Sequence, residues 1–231
     1  MTYRLVLLVG GLFLRLMRIR VTTRGVENVP AKGPVVLAVS HFSYLDFALS
    51  ELAIWRHGRR RTRFLAIEAA FAHRLSGRPM RAMGHIPVGL GASAYRLART
   101  ALRKGEVVGV FPETRVSRSF TLLPFKGGAA RLSVETGAPL IPCVIWGSHR
   151  ILTRTHPWEL RRSRDVPVLM AFGPPVTDGT MLRPVMERML AELQASYPVD
   201  GTGAWWQPAH LGGAAPTPEQ ADQMDGRTLG S

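Results

Sequence analysis

The 231-residue sequence has one cysteine, Cys143. That excludes an intrachain disulfide and a cysteine-based zinc site. Lysine is nearly absent: only Lys32, Lys104 and Lys126 occur, so 27 of the 30 Lys and Arg residues are arginines. Acidic residues are few, 16 against those 30 cations, and the formal net charge is +14. Such an imbalance attracts anions, whether nucleic acid, an anionic membrane surface or a phosphorylated small molecule. There is no run of 18 apolar residues, so a conventional transmembrane helix is not expected. No internal repeat is present. What the chain does have is an apolar fraction of 46%, which excludes a disordered polymer. Its length suits one generous domain or at most two small ones.

The N-terminus is the least ordinary stretch. Leu5 to Leu14 is an unbroken apolar run, preceded by Arg4 and followed by Arg15, Arg18 and Arg20. A signal peptide has the same layout, but no small-residue cleavage site follows. Ten helical residues cover ~15 Å, about half a hydrocarbon core. Residues 1–20 therefore read as a membrane-associating helix lying in the interface with its arginines on headgroups. The alternative is a helix packed on the domain core.

Beyond Val21 strands and helices alternate. Apolar runs at 34–40, 64–67, 85–88, 107–111, 140–146 and 168–172 predict strands. Helical spacing predicts helices over 46–55, 69–75, 92–103, 128–136 and 181–197. The alternation predicts a single α/β domain over 21–197, with a mixed, largely parallel central sheet flanked by helices and the N-terminal interfacial helix added to it. Residues 198–231, rich in Gly, Pro, Ala and Asp, predict a flexible tail. Within it, Trp205 and Trp206 could anchor at a membrane interface or pack locally.

In α/β folds polar ligands bind in the loops that lead from strand ends into helices. The loop after the first apolar strand reads Ser40-His41-Phe42-Ser43-Tyr44-Leu45-Asp46. An aspartate there can accept a bond from one imidazole nitrogen, fix the tautomer and raise the basicity of the other, which can then take a proton from a hydroxyl. Taken alone, Asp46 could equally cap a helix and His41 be a loop residue. The loop after 107–111 carries Glu113, Thr114, Arg115, Ser117, Arg118 and Ser119. Arginine forks suit phosphate oxygens, although an exposed polar turn has the same composition. His85, His149 and His156 lack metal-ligand spacing, and no metal site is expected. Cys143 reads as core. The five arginines within 56–63 come without aromatic interleaving, so a phospholipid surface or the phosphates of coenzyme A suits them better than nucleic acid.

In order, the chain carries His41-x4-Asp46, Gly84-His85-Ile86-Pro87-Val88, Phe111-Pro112-Glu113, Phe125-Lys126-Gly127-Gly128 and Leu140-Ile141-Pro142. Together with Gly25-Val26-Glu27-Asn28-Val29-Pro30, this series resembles the glycerophospholipid acyltransferases, notably the 1-acylglycerol-3-phosphate acyltransferases. The resemblance runs from about Gly25 to Gly147. It implies His41 as general base and Asp46 as its orienter, with direct attack of an acceptor hydroxyl on a thioester. It implies substrate binding by Glu113, Thr114, Arg115, Ser117 and Arg118. No cofactor or metal is implied; acyl-CoA or acyl carrier protein is the co-substrate. The implied partners are a lyso-phospholipid acceptor and an anionic membrane surface at the cytoplasmic face of the cell membrane, and not nucleic acid. Phosphatidic acid is the expected product, with a glycolipid or lyso-aminolipid acceptor, or a non-catalytic lipid-binding protein, as alternatives.

The chain departs from the family pattern twice. Gly89 and Leu90 stand where an arginine usually contacts the acceptor phosphate; Arg96, Arg115 or Arg118 could substitute. In the third motif, a gap-free match puts Thr114 on the family's glycine, Arg115 on its threonine and Val116 on its arginine. A one-residue deletion would instead leave Thr114 and Arg115 in their family roles.

Overall fold

A computed structural model describes residues 2–74, 76–89, 92–198 and 203–226. Leu75, at the end of one expected helix, and Leu90 lie outside them. The strands are β1 (Arg20–Arg24), β2 (Val35–Val39), β3 (Thr62–Ile67), β4 (Ile86–Val88), β5 (Val107–Val110), β6 (Leu140–Trp146) and β7 (Pro167–Phe172). The helices are α1 (Thr2–Leu16), α2 (Asp46–Gly58), α3 (Glu68–Ala72), α4 (Gly77–Met83), α5 (Ser93–Arg103), α6 (Gly128–Thr136), α7 (Leu182–Ala195) and α8 (Pro218–Met224).

The strands form one sheet in the order β1-β7-β6-β2-β5-β3-β4. Every pairing is parallel except β6 with β7. β2 is central and buried along its whole length. Its side chains alternate between faces: Val36 and Ala38 enter the core beneath α5, α6 and α7, whereas Val35, Leu37 and Val39 enter the core shared with α1 and α2. Helices on both faces leave the strand ends, and the loops beyond them, as the place for a site.

Within residues 20–197 two elements escape the sequence pattern. β1, Arg-Val-Thr-Thr-Arg, is a half-exposed edge strand whose single apolar residue gives no alternation to read. α4 contains Gly77 and Pro79, which mark loops in a sequence. It folds because Met80 and Met83 are buried and Arg81 donates to the Phe71 carbonyl at 2.7 Å.

α1 combines the two readings of the N-terminus. Tyr3, Leu7 and Leu14 pack on the domain, while Leu5, Leu8, Val9, Leu12 and Leu16 are exposed on the opposite side. No helix among the described residues is long and apolar enough to cross a membrane.

The flexible tail expected over 198–231 needs correction for residues 203–226. Trp206, Ala215 and Ala221 are buried. The Trp206 carbonyl lies 3.0 Å from His149 Nε2, and Trp205 stacks on His156 at 3.8 Å. Burial pushes the His149 pKa down to about 3, so its ring is neutral and donates to that carbonyl. A segment poor in apolar residues folds here by using its two tryptophans as anchors and its aspartates as partners for arginines.

Candidate active site

The first loop after β2 is built around one carboxylate. Asp46 opens α2 and is fully buried. Its Oδ2 accepts the main-chain N–H groups of Phe42 (2.8 Å) and Ser43 (2.7 Å) and faces His41 Nδ1 at 3.5 Å. Its Oδ1 accepts the Ser148 hydroxyl at 2.7 Å. The loop is thus wound around the aspartate, which fixes the imidazole by fixing its backbone.

A stack of rings sets the plane of that imidazole. Phe111 lies over His41 with centroids 3.8 Å apart and planes 15° apart. Phe64 stacks behind Phe111 at 5.2 Å. Room for Phe64 comes from Gly109 in β5, where an added Cβ would sit 2.4 Å from the ring. The His41 side chain keeps 15% exposure against 0% for Asp46. With Nδ1 turned to the aspartate, Nε2 is the nitrogen left for a substrate proton.

Glu113 has a different place from the acceptor-binding one expected. Its Oε1 accepts the His41 N–H and its Oε2 the Leu123 N–H, both at 2.9 Å. The residue is buried and acts as a staple between the His41 loop and the segment after β5. Burial pushes its pKa up to about 8, against the two N–H bonds, which lower it; the Asp46 charge adds to the rise and the Arg183 charge opposes it.

Ser117 is likewise internal. Its N–H donates to the His41 carbonyl at 2.8 Å and its hydroxyl to the Thr121 carbonyl at 2.7 Å. Thr114 is exposed and left-handed, with φ of 61°. A left-handed backbone is what glycine accommodates, so the gap-free match, which puts Thr114 on the family's glycine, describes this loop.

Arg115 and Arg118 do not project freely. Arg115 Nη2 donates to Asp222 Oδ1 at 2.6 Å, and Arg118 Nε to Asp225 Oδ1 at 2.8 Å. Arg154, which the sequence reading did not single out, also contacts Asp225 at 2.9 Å. Burial pushes the Asp225 pKa up, but the Arg118 hydrogen bond and the charges of Arg154, Arg118 and Arg115 outweigh it and hold it low. Ser148 was missed too, since a serine 102 residues from Asp46 gives no local signal. No metal-binding cluster occurs among the described residues.

The sequence profile of the family described as Acyltransferase matches residues 20–146, more than half of the chain and the whole of this site apart from Ser148, Arg154 and the aspartates that meet the arginines. The chain belongs to the acyltransferase family. Among relatives of this acyltransferase, an uncharacterized protein of Mycobacterium tuberculosis is 32% identical over 143 residues. That match covers 57% of this chain and 38% of the relative. The 1-acyl-sn-glycerol-3-phosphate acyltransferase of Bacillus subtilis is 28% identical over 125 residues, 52% of this chain and 60% of that one. The crystal structure of the 1-acyl-sn-glycerophosphate acyltransferase PlsC of Thermotoga maritima shares the fold, with a TM-score of 0.70 over 85% of this chain and 81% of that one at 21% identity.

Proposed function

We propose that this acyltransferase moves a fatty acyl group from acyl-CoA or acyl carrier protein to the free hydroxyl of a lyso-phospholipid, with 1-acylglycerol-3-phosphate as acceptor and phosphatidic acid as product. The His41–Asp46 pair carries this reading, since a buried carboxylate holds Nδ1 and leaves Nε2 as a base. Nε2 takes the acceptor's hydroxyl proton as the oxygen attacks the thioester carbonyl. The carbon–oxygen bond forms, the carbon–sulfur bond breaks, and the proton passes from His41 to the departing thiolate. The relatives whose names specify 1-acyl-sn-glycerol-3-phosphate acyltransferases support the acceptor.

An apolar cavity of about 160 Å³ lies between α1, α2 and α4. Leu45 and Phe47, which flank Asp46, are among its walls, so an acyl chain has an apolar place beside the catalytic loop. The exposed leucines of α1 would enter the interface while Arg4, Arg15, Arg18 and Arg20 meet anionic headgroups. This arrangement supports action at a membrane surface, on the cytoplasmic side, where soluble acyl thioesters are available.

The test is an acyl-transfer assay with both thioester donors and a panel of lyso-lipids. Turnover of 1-acylglycerol-3-phosphate above the other acceptors is expected; a preference for a glycolipid or lyso-aminolipid would replace the acceptor, and no turnover would overturn the reading. Leu8→Glu with Leu12→Glu, on the exposed side of α1, is expected to weaken sedimentation with anionic vesicles at least about tenfold.

A further inference from the structure

Arg115, Arg118 and Arg154 reach one point from two different loops. Each loop is bonded to the catalytic segment immediately beside its arginine. The Ser117 N–H donates to the His41 carbonyl at 2.8 Å, and the Thr153 hydroxyl donates to the Phe42 carbonyl at 2.7 Å. The guanidiniums are therefore placed by the same backbone that places the base.

At their meeting point stands Asp225, with 7% side-chain exposure. It takes Arg118 Nε at 2.8 Å, Arg154 Nη1 at 2.9 Å and Arg115 Nη1 at 3.5 Å. Asp222 takes the other Arg115 nitrogen at 2.6 Å. Three positive charges face two negative ones. The segment bearing the carboxylates is lightly held otherwise: Ala221 is the only buried residue of α8, whose start is fixed by a capping box between Thr217 and Gln220. Three convergent guanidiniums exceed what one carboxylate needs, whereas a phosphate monoester, with three oxygens and close to two charges, matches them.

We propose that Arg115, Arg118 and Arg154 form a phosphate-monoester site that Asp222 and Asp225 occupy as internal competitors, so that a phosphorylated ligand enters by displacing α8. The acyl-transfer reading supplies only the identity of that ligand: the phosphate of a lyso-phosphatidic acceptor or the 3′-phosphate of coenzyme A.

Calorimetric titration of the full chain with glycerol 3-phosphate, and separately with adenosine 3′,5′-bisphosphate, tests the site without turnover. The double variant Asp222→Asn with Asp225→Asn is expected to bind one of the two probes about tenfold more tightly than the unaltered chain. Adding Arg154→Ala should remove that gain, and Arg154→Lys should restore part of it. The probe that gains names the source, acceptor or donor. No gain with either probe, or a gain that survives Arg154→Ala, overturns the proposal. If the binding results hold while no lyso-lipid is acylated, the acyl-transfer reading fails and the phosphate site stands.

Discussion

Helix α2 carries the acids of two acid–histidine pairs, one open to solvent and proposed for chemistry, the other buried. Asp46 at its start faces His41 at 3.5 Å, and Glu51 five residues later faces His85 at 3.8 Å. The residue types are nearly the same, but the surroundings are not. Asp46 receives two N–H groups and a hydroxyl, and His41 reaches solvent. Glu51 and His85 have fully buried side chains, and neither Glu51 oxygen nor His85 Nε2 has a hydrogen-bond partner. The Phe64 N–H donates to His85 Nδ1 at 3.1 Å, so the imidazole proton sits on Nε2 and points toward Glu51 without reaching it. Burial drives the Glu51 pKa well above its ordinary value and brings His85 down to about 4, with Arg63 adding to the latter. Burial disfavours the charged form of each. An acid beside a histidine can orient a base only when donors satisfy the acid's oxygens and the ring keeps a route to substrate.

The largest expected effect is at the first pair. His41→Ala should lower kcat by about 100-fold or more with the fold intact, measured by initial rates beside a circular dichroism spectrum. Retention of unaltered rates would remove the distinction between the pairs. At the second pair the effect should be on stability and of opposite sign. Glu51→Leu removes a buried acid that has no hydrogen-bond partner and should raise stability by about 1–3 kcal/mol, read from urea midpoints. Its pH dependence follows from the raised pKa. Unfolded glutamate titrates near 4.5 and the folded group well above that, so the folded state binds the extra proton between the two values. That stability is whole below the unfolded pKa and is lost as pH rises through the folded one. Glu51→Leu should flatten this fall.

How much could be read in the sequence follows the same division. His41 and Asp46 are close in sequence and sit in the loop after an apolar strand, so local pattern places them. Four of the six expected strands are apolar runs with burial to match; the stretch 64–67 in β3, where only Phe64 is buried, and β4, with only Ile86 buried, keep their places by pairing with each other and, for β3, with β5. Glu113 was found by its motif, yet its role was not, because which N–H groups a carboxylate meets depends on how two loops dock. The unsatisfied state of Glu51 and the capture of Arg115 and Arg118 by the C-terminal aspartates are tertiary facts with no periodicity behind them. Composition misled for residues 203–226, since two tryptophans and two aspartates outweigh a run of Gly, Pro and Ala once their partners are in place.

Ser148→Ala sharpens the comparison by making Asp46 resemble Glu51. It leaves Oδ1 of a buried carboxylate without its hydroxyl donor. The two N–H groups on Oδ2 remain, so the pair should survive in weakened form. A loss of about tenfold in kcat is expected, equivalent to about 1.4 kcal/mol. Ser148→Thr keeps the hydroxyl and should recover most of it.

The smallest effect concerns strain, which also separates the two pairs. Each has a left-handed residue either adjoining it or in a loop bonded to it. Beside the buried pair it is Gly84, with φ of 81°, where no side chain resists the conformation. For the His41–Asp46 pair it is Thr114, with φ of 61°, in the loop whose Glu113 and Ser117 hold both main-chain groups of His41. A β-branched residue in that region costs about 1–2 kcal/mol, and the cost is sustained because the Glu113 and Ser117 bonds fix the loop on either side. Thr114→Gly should therefore raise stability, but by about 1 kcal/mol or less, since glycine also gains freedom in the unfolded chain. Denaturant midpoints of this variant and of Thr114→Ala measure the strain: alanine, which keeps a Cβ, should recover little of the gain, and equal gains from both would mean that the β-branch rather than the left-handed turn is what the loop resists.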